Sequence, residues 1–209
     1  MSKILEAAYF AAKKHTNQRR KNVEDTPYIN HPVEVAFLLA SVGGITDEDI
    51  LSAALLHDTI EDTDTHPGEI ESQFGPVVLK YVQEVTDDKS LPSYERKKMQ
   101  EKHAGTLSDG ATLIKLADRI SNLRSVTSEP PRWWTAQRQI DYFEWSHRVF
   151  INLRKLNTPL ELLFQKEYNE GLLIVLQRRD HEHSMTSKIA GVRRKIRAKL
   201  LRLTRYGPP

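Results

Sequence analysis

Apolar residues recur three and four positions apart along most of this chain, and no run of useful length alternates at every second position. Residues 2–15 carry Ile4, Leu5, Ala8 and Ala11-Ala12 on one helical face, and a polar, basic loop follows from Asn17 to Thr26. Pro32 reads as a first-turn proline, which puts His31 at a helix N-cap or beside it. That helix runs through Val35, Ala36, Leu38 and Leu39 to Gly43-Gly44. Thr46 and Asp49 approximate a capping box for the next, which carries Ile50 and Ala53 to Leu56. Pro67-Gly68 marks a turn before a short helical stretch to Phe74-Gly75, and Pro76 opens a helix with Val77, Val78, Tyr81 and Val82. Pro92 opens a charged helix, Tyr94 to Lys102, and residues 103–110 read as a loop. Helices over 111–124 and from Trp133 to Leu156 follow. Thr158-Pro159-Leu160-Glu161 then reads as a capping box opening a helix to about Arg179. The pattern predicts an all-α protein, a single domain over residues 1–180.

Composition changes that picture at one place. Hydrophobic residues make up 39% of the 209, below the usual globular share, and charged residues 28%, as water-exposed helical surfaces require. The net charge of +3 hides an asymmetry: residues 184–209 hold Lys188, Arg193, Arg194, Lys195, Arg197, Lys199, Arg202 and Arg205 and no acid. The body is therefore net acidic, and residues 181–209 read as a basic helical C-terminal extension. Its apolar stripe of Ile189, Val192, Ile196, Leu200 and Leu203 suits packing on its own domain or on another subunit of a homo-oligomer. Contact with anionic membrane or nucleic acid is the less favoured reading. Cysteine is absent, which excludes disulfides and thiolate metal sites. No apolar run approaches the ~20 residues of a membrane span, and the start of the chain lacks the core of a signal peptide. A cytoplasmic protein is expected.

The chemistry concentrates in Leu55-Leu56-His57-Asp58-Thr59-Ile60-Glu61-Asp62. A lone His-Asp pair fits a solvated helix end as well as a metal site. Asp118 tips the balance, because it sits within the apolar run Leu113 to Ile120, where a buried carboxylate needs a partner or a metal. With His31, these residues offer two imidazoles and two carboxylates, enough for one divalent ion with coordination sites left for water. Residues four apart share a helical face, so a continuing helix turns Glu61 and Asp62 toward the same space as His57 and Asp58. They are candidates for orienting or deprotonating an attacking water. Asn122 follows Asp118 by the same spacing; Arg119 and Arg124 are less defined. Asp62 to Pro67 fails as a calcium loop because proline stands where glycine is needed. His181 and His183 read as exposed, and His15, His66, His103 and His147 show no partner pattern. There is no Gly-rich phosphate loop.

Three segments carry a family resemblance: Arg19-Arg20-Lys21 with Thr26-Pro27-Tyr28-Ile29-Asn30-His31-Pro32, Ala53 to Thr63, and Lys115 to Arg124. Together they resemble the HD-domain hydrolases of RelA/SpoT proteins. Glu84 to Lys89 and Tyr142-Phe143-Glu144-Trp145 resemble the small stand-alone animal form. The resemblance spans about residues 4–175. It implies an HD-type helical bundle and a manganese-dependent hydrolase that removes the 3′-diphosphate of (p)ppGpp, giving GDP or GTP and pyrophosphate. Other divalent ions suit the same mixed donors. The chain is too short for the synthetase and regulatory domains of the long forms, so hydrolysis without synthesis is expected. By motif, the ligands are His31, His57, Asp58 and Asp118, and Glu61 and Asp62 are the catalytic pair. Arg20, Lys21 and Asn122 contact the nucleotide, as do Arg138 and Tyr142 where the flanks match less closely. The alternative is an NADPH 2′-phosphatase, or another nucleotide phosphohydrolase, on the same fold.

Overall fold

The computed structural model describes the backbone of residues 2–205 and the side chains of residues 2–184. Helices run in the order α1 (Lys3–Lys14), α2 (Asn30–Ser41), α3 (Glu48–Leu56), α4 (Thr59–Asp62), α5 (Pro67–Phe74), α6 (Pro76–Val85), α7 (Ser93–His103), α8 (Asp109–Ser128), α9 (Ala136–Asn152) and α10 (Thr158–Arg205). A 3-10 turn, Ala104–Thr106, lies between α7 and α8. The all-α expectation holds: among the described residues no β-strand forms, and Arg19 and Pro27 make an isolated antiparallel bridge.

α8 is the axis of the bundle. Its residues from Gly110 to Ser121 are buried on every side, so α2, α3, α6, α9 and α10 pack around it. Small residues set two of those approaches. A Cβ on Gly110 would stand 2.6 Å from the Tyr81 ring, and one on Gly171 would stand 2.4 Å from Thr127 Oγ1 and 2.7 Å from the Phe143 ring. Only glycine lets α6 and α10 come so close to their neighbours. The core beneath includes Leu38, Leu39, Leu56, Ile114, Ile120, Leu123, Phe143 and Phe164.

Several helix ends lie one residue from their expected place. α2 starts at Asn30, so His31 is its second residue and Pro32 its third, still within the turn whose N–H groups have no intrahelical partner. α3 is capped by Asp47 and not Thr46: Asp47 Oδ1 accepts from the Asp49 and Ile50 N–H groups at 2.8 and 3.2 Å. A carboxylate there also meets the positive end of the helix. At α10 the reciprocal cap belongs to Asn157, whose Oδ1 accepts from Leu160 N at 3.2 Å while Glu161 Oε1 accepts from Asn157 N at 3.1 Å. Pro67 lies in the first turn of α5 and does not precede a separate turn.

Two differences bear on function. The helix expected to continue through Asp62 breaks after Leu56, where the Thr59 hydroxyl donates to the Leu56 carbonyl at 2.7 Å, and His57 and Asp58 form the corner before α4. The last helix does not stop near Arg179, and its backbone continues to Arg205. The apolar stripe and basic side chains expected from Lys188 onward lie outside the residues whose side chains are described. Among the described residues no helix is long and apolar enough to cross a membrane.

Candidate metal centre and substrate cleft

The corner between α3 and α4 places His57 and Asp58 against His31 from α2 and Asp118 from α8. One donor atom each from His31, His57 and Asp118 lies within 4.8 Å of the others, and all three residues are buried. His31 Nε2 is 3.2 Å from Asp118 Oδ1 and 3.6 Å from Asp58 Oδ2, and His57 Nε2 is 3.1 Å from Asp58 Oδ2.

The opposite ring nitrogens are tied down. His31 Nδ1 pairs with Ser121 Oγ at 2.9 Å, whose hydroxyl donates to Glu34 Oε2 at 2.7 Å. His57 Nδ1 donates to the Ala54 carbonyl at 2.8 Å. Such partners fix the ring and turn the free lone pair inward. The carboxylates are held too: Arg119 donates to Asp118 Oδ2 through Nε and Nη2, at 3.2 and 2.7 Å, Asn122 donates to Asp118 Oδ1, and the Tyr28 hydroxyl donates to Asp58 Oδ2 at 2.6 Å.

The donor set fits a divalent cation on one observation in particular. His57 Nε2 is buried and makes no hydrogen bond, although a carboxylate oxygen stands beside it. A buried imidazole nitrogen left unbonded among carboxylate oxygens suits an ion at that point. Electrostatics agree. Burial favours neutral Asp118, but the Arg119 guanidinium and the two imidazoles overcome it and hold its carboxyl well below the usual range. Asp58 is depressed against the same burial by His57. Burial lowers His31, with Arg20 adding to it. At His57 burial is outweighed by Asp58 and Asp118, and the pKa rises to about 9.

Two adjoining cavities, of about 590 and 460 Å³, open over this centre and share Lys21, Tyr28, His31, Asp62, Asn122, Trp134 and Tyr142. Every residue singled out from the sequence lines one or both. Arg20 and Lys21 sit on a loop pinned by Arg20 N to Thr26 O at 2.9 Å and by Arg132, whose N and Nε donate to the Lys21 and Asn22 carbonyls at 3.1 Å. The Arg20 guanidinium donates to Ser125 Oγ at 2.8 Å and lies over the Tyr28 ring.

Glu61 and Asp62 do face this space, although the helix breaks before them. Glu61 Oε2 accepts from Asp87 N at 3.0 Å, and Oε1 lies 3.8 Å from Arg96 Nη1. Burial raises the Glu61 pKa, and the Asp58, Asp87 and Asp62 carboxylates add to it against the Asp87 N–H bond. Asp62 accepts from Gln18 Nε2 at 3.0 Å and from Lys89. Arg124 lines the larger cavity, but its guanidinium is engaged by Glu34 and Glu167 at 3.3 and 2.9 Å.

Arg138 and Tyr142, named from the sequence, belong to an aromatic and cationic wall whose members Trp134, Arg96 and Lys97 were not so named. Trp134, Tyr142 and Trp145 stand in a row with neighbouring ring centroids 5.3 Å apart, and Arg138, Arg119 and Lys97 lie over the outer rings. The four-residue spacing of Arg138 and Tyr142 on α9 was the available signal, whereas Trp134 lies before the helix starts. Arg96 and Lys97 had none, because α7 buries no residue and carries no apolar stripe to orient it.

A helical bundle that brings two histidines and two aspartates together from α2, the α3–α4 corner and α8 beneath a basic cleft defines a phosphohydrolase-type scaffold with a candidate divalent-metal site. The chain belongs to the HD-domain family, whose model matches residues 7–143. It is 51% identical over 167 residues to guanosine-3′,5′-bis(diphosphate) 3′-pyrophosphohydrolase MESH1 of Danio rerio, covering 80% of this chain and 93% of that protein. It is 52% identical to the Homo sapiens protein of the same name over 160 residues, 77% of this chain and 89% of the other. A solved metazoan orthologue of SpoT, described as hydrolysing ppGpp and playing a role in starvation responses, superposes with a TM-score of 0.79 at 46% identity. That match covers 82% of this chain and 97% of the other.

Proposed function

We propose that this protein is a manganese-dependent hydrolase that removes the 3′-diphosphate of guanosine 3′,5′-bis(diphosphate) nucleotides, yielding GDP or GTP and pyrophosphate. The observation that carries this reading is the convergence of His31, His57 and Asp118, with Asp58 alongside, under a cleft lined with Arg and Lys. The names of the relatives, which this chain spans over most of their length, support the same substrate. The working division is a hydrolase domain over residues 1–180 followed by a basic extension, in a cytoplasmic protein.

His31, His57, Asp58 and Asp118 would hold the metal, which supplies an acidified water and neutralises phosphate charge when bound. Manganese suits mixed imidazole and carboxylate donors. Glu61 accepts the proton of the attacking water at Oε1, since Oε2 is engaged by the Asp87 N–H. Its raised pKa makes it the stronger base. Asp62, at the junction of the two cavities, orients that water. The water oxygen bonds to the phosphorus next to the 3′-oxygen, the bond to that oxygen breaks, the 3′-oxygen takes up the proton held by Glu61 to become the hydroxyl of GDP or GTP, and pyrophosphate leaves. Arg20, Lys21 and Arg138 neutralise the diphosphates, Asn122 hydrogen-bonds the nucleotide, and Tyr142 offers its ring to the purine.

The test is to incubate metal-stripped protein with ppGpp and with NADPH, each with and without manganese, and to identify the product. Manganese-dependent pyrophosphate from ppGpp is expected. Orthophosphate from NADPH alone would move the assignment to a 2′-phosphatase on the same fold.

A further inference from the structure

His15 had no readable partner in the sequence and takes no part in the reaction above, yet at 2% exposure it is among the most buried polar side chains. It follows the last residue of α1, and its Nδ1 lies 2.6 Å from Gln18 Oε1. Gln18 Nε2 in turn donates to Asp62 Oδ2 at 3.0 Å. Elementary chemistry sets the direction of this chain. An ionised carboxylate only accepts, so Gln18 turns its NH2 toward Asp62; its carbonyl oxygen then faces His15 and also only accepts, so His15 Nδ1 carries the hydrogen. His15 Nε2 is buried without a hydrogen bond, so no second partner competes for the ring.

Both members are held from behind. The His15 ring lies against Tyr28, centroids 4.9 Å apart, and the Gln18 backbone is fixed by N–H donation to the His15 carbonyl at 3.0 Å and by acceptance from Tyr28 N at 3.1 Å. The other support of Asp62 is Lys89, whose side chain is 49% exposed and free to leave for solvent. Gln18 is the rigid support.

We propose that His15 and Gln18 are positioning residues that set the orientation of the Asp62 carboxylate, with His15 acting through Nδ1. This rests on the reading of Asp62 as one of the catalytic pair. A group held through a hydrogen-bonded partner at fixed distance transmits small displacements to the reacting atoms, and a shift of ~1 Å there costs on the order of 10²-fold in rate.

The experiment measures kcat and KM for pyrophosphate release from ppGpp by the manganese-loaded full chain, with melting temperature recorded for each variant. Gln18→Leu is expected to lower kcat by ~10²-fold with KM nearly unchanged. His15→Gln, whose amide nitrogen falls where Nε2 was, loses a similar amount. His15→Asn, whose amide nitrogen overlays Nδ1, recovers most of that loss. A packing role predicts the reverse order, because Gln is closer to His in volume. Adding Gln18→Leu to Asp62→Asn is expected to cost nothing further. The inference is overturned if His15→Gln outperforms His15→Asn, if the two losses add, or if Gln18→Leu turns over normally while Asp62→Asn does not. Normal turnover by Asp62→Asn itself would remove the catalytic role of Asp62 and this inference together.

Discussion

Replacing Asp118 by Ala separates the two roles that its carboxylate plays. In the metal-free protein, Asp118 Oδ2 takes two bonds from Arg119, which is 6% exposed. Removing one partner of a buried ion pair leaves an uncompensated charge and costs about 3–5 kcal/mol. Arg119 keeps its place over the Trp145 ring, 4.6 Å from the centroid, and Tyr142 Oη remains 3.5 Å away, so the lower end of that range applies. With a urea slope of about 3 kcal/mol per molar, a loss of about 3 kcal/mol moves the unfolding midpoint down by roughly 1 M. The metal-loaded protein reports the second role. Manganese at a hundred times its dissociation constant stabilises the wild-type chain by about 2.7 kcal/mol, again roughly 1 M in midpoint. Asp118→Ala is expected to gain almost none of this, because Oδ1 is among the clustered donors. Urea unfolding in chelator and in manganese measures both. An unchanged metal-free midpoint would refute the ion-pair reasoning, and a wild-type manganese shift in the variant would refute Asp118 as a ligand.

The raised pKa of Glu61 has a defined sign in kinetics. A base must be ionised, so kcat is expected to fall as pH drops through a value above the ordinary glutamate range, and Glu61→Gln should remove turnover while substrate still binds; a pH profile and a binding titration check both. Arg20→Ala removes a cleft guanidinium held by Ser125, and KM for ppGpp should rise roughly tenfold, about 1.4 kcal/mol, with kcat little changed. Gly171→Ala forces a methyl to within 2.4 Å of Thr127 Oγ1 and against the Phe143 ring, and should cost about 1–3 kcal/mol by denaturant unfolding, with active-site geometry retained.

The local code of the chain was legible for a physical reason. Helix periodicity, prolines and capping residues act over one turn, so the existence of the helices could be read directly, while their ends slipped: by a residue where a neighbouring Asp47 or Asn157 made the better cap, and further at α8, which runs Asp109–Ser128, and α9, which runs Ala136–Asn152. Donor chemistry was legible as well. Asp118 in an apolar run is unusual enough to demand a partner, and His57-Asp58 supplies the complementary set.

Other features depended on packing. The break at His57 and Asp58 was not readable, because the apolar pattern runs on through it; yet Glu61 and Asp62 still reached the cleft, anchored by Asp87, Gln18 and Lys89 from distant segments. α7 carries no apolar stripe, so only its docking through the Trp145 indole and the Lys97 carbonyl, 3.2 Å apart, placed Arg96 and Lys97 beside the site. The sequence by itself determined a helical bundle and the residue types able to hold a divalent ion. Only the tertiary structure decided that His31, His57 and Asp118 come within 4.8 Å of one another, that Arg124 is taken up by Glu34 and Glu167, and that His15 is a buried link to Asp62. Periodicity carries orientation within a helix, whereas distances between helices follow from how side chains such as Gly110, Gly171 and Tyr81 let them approach.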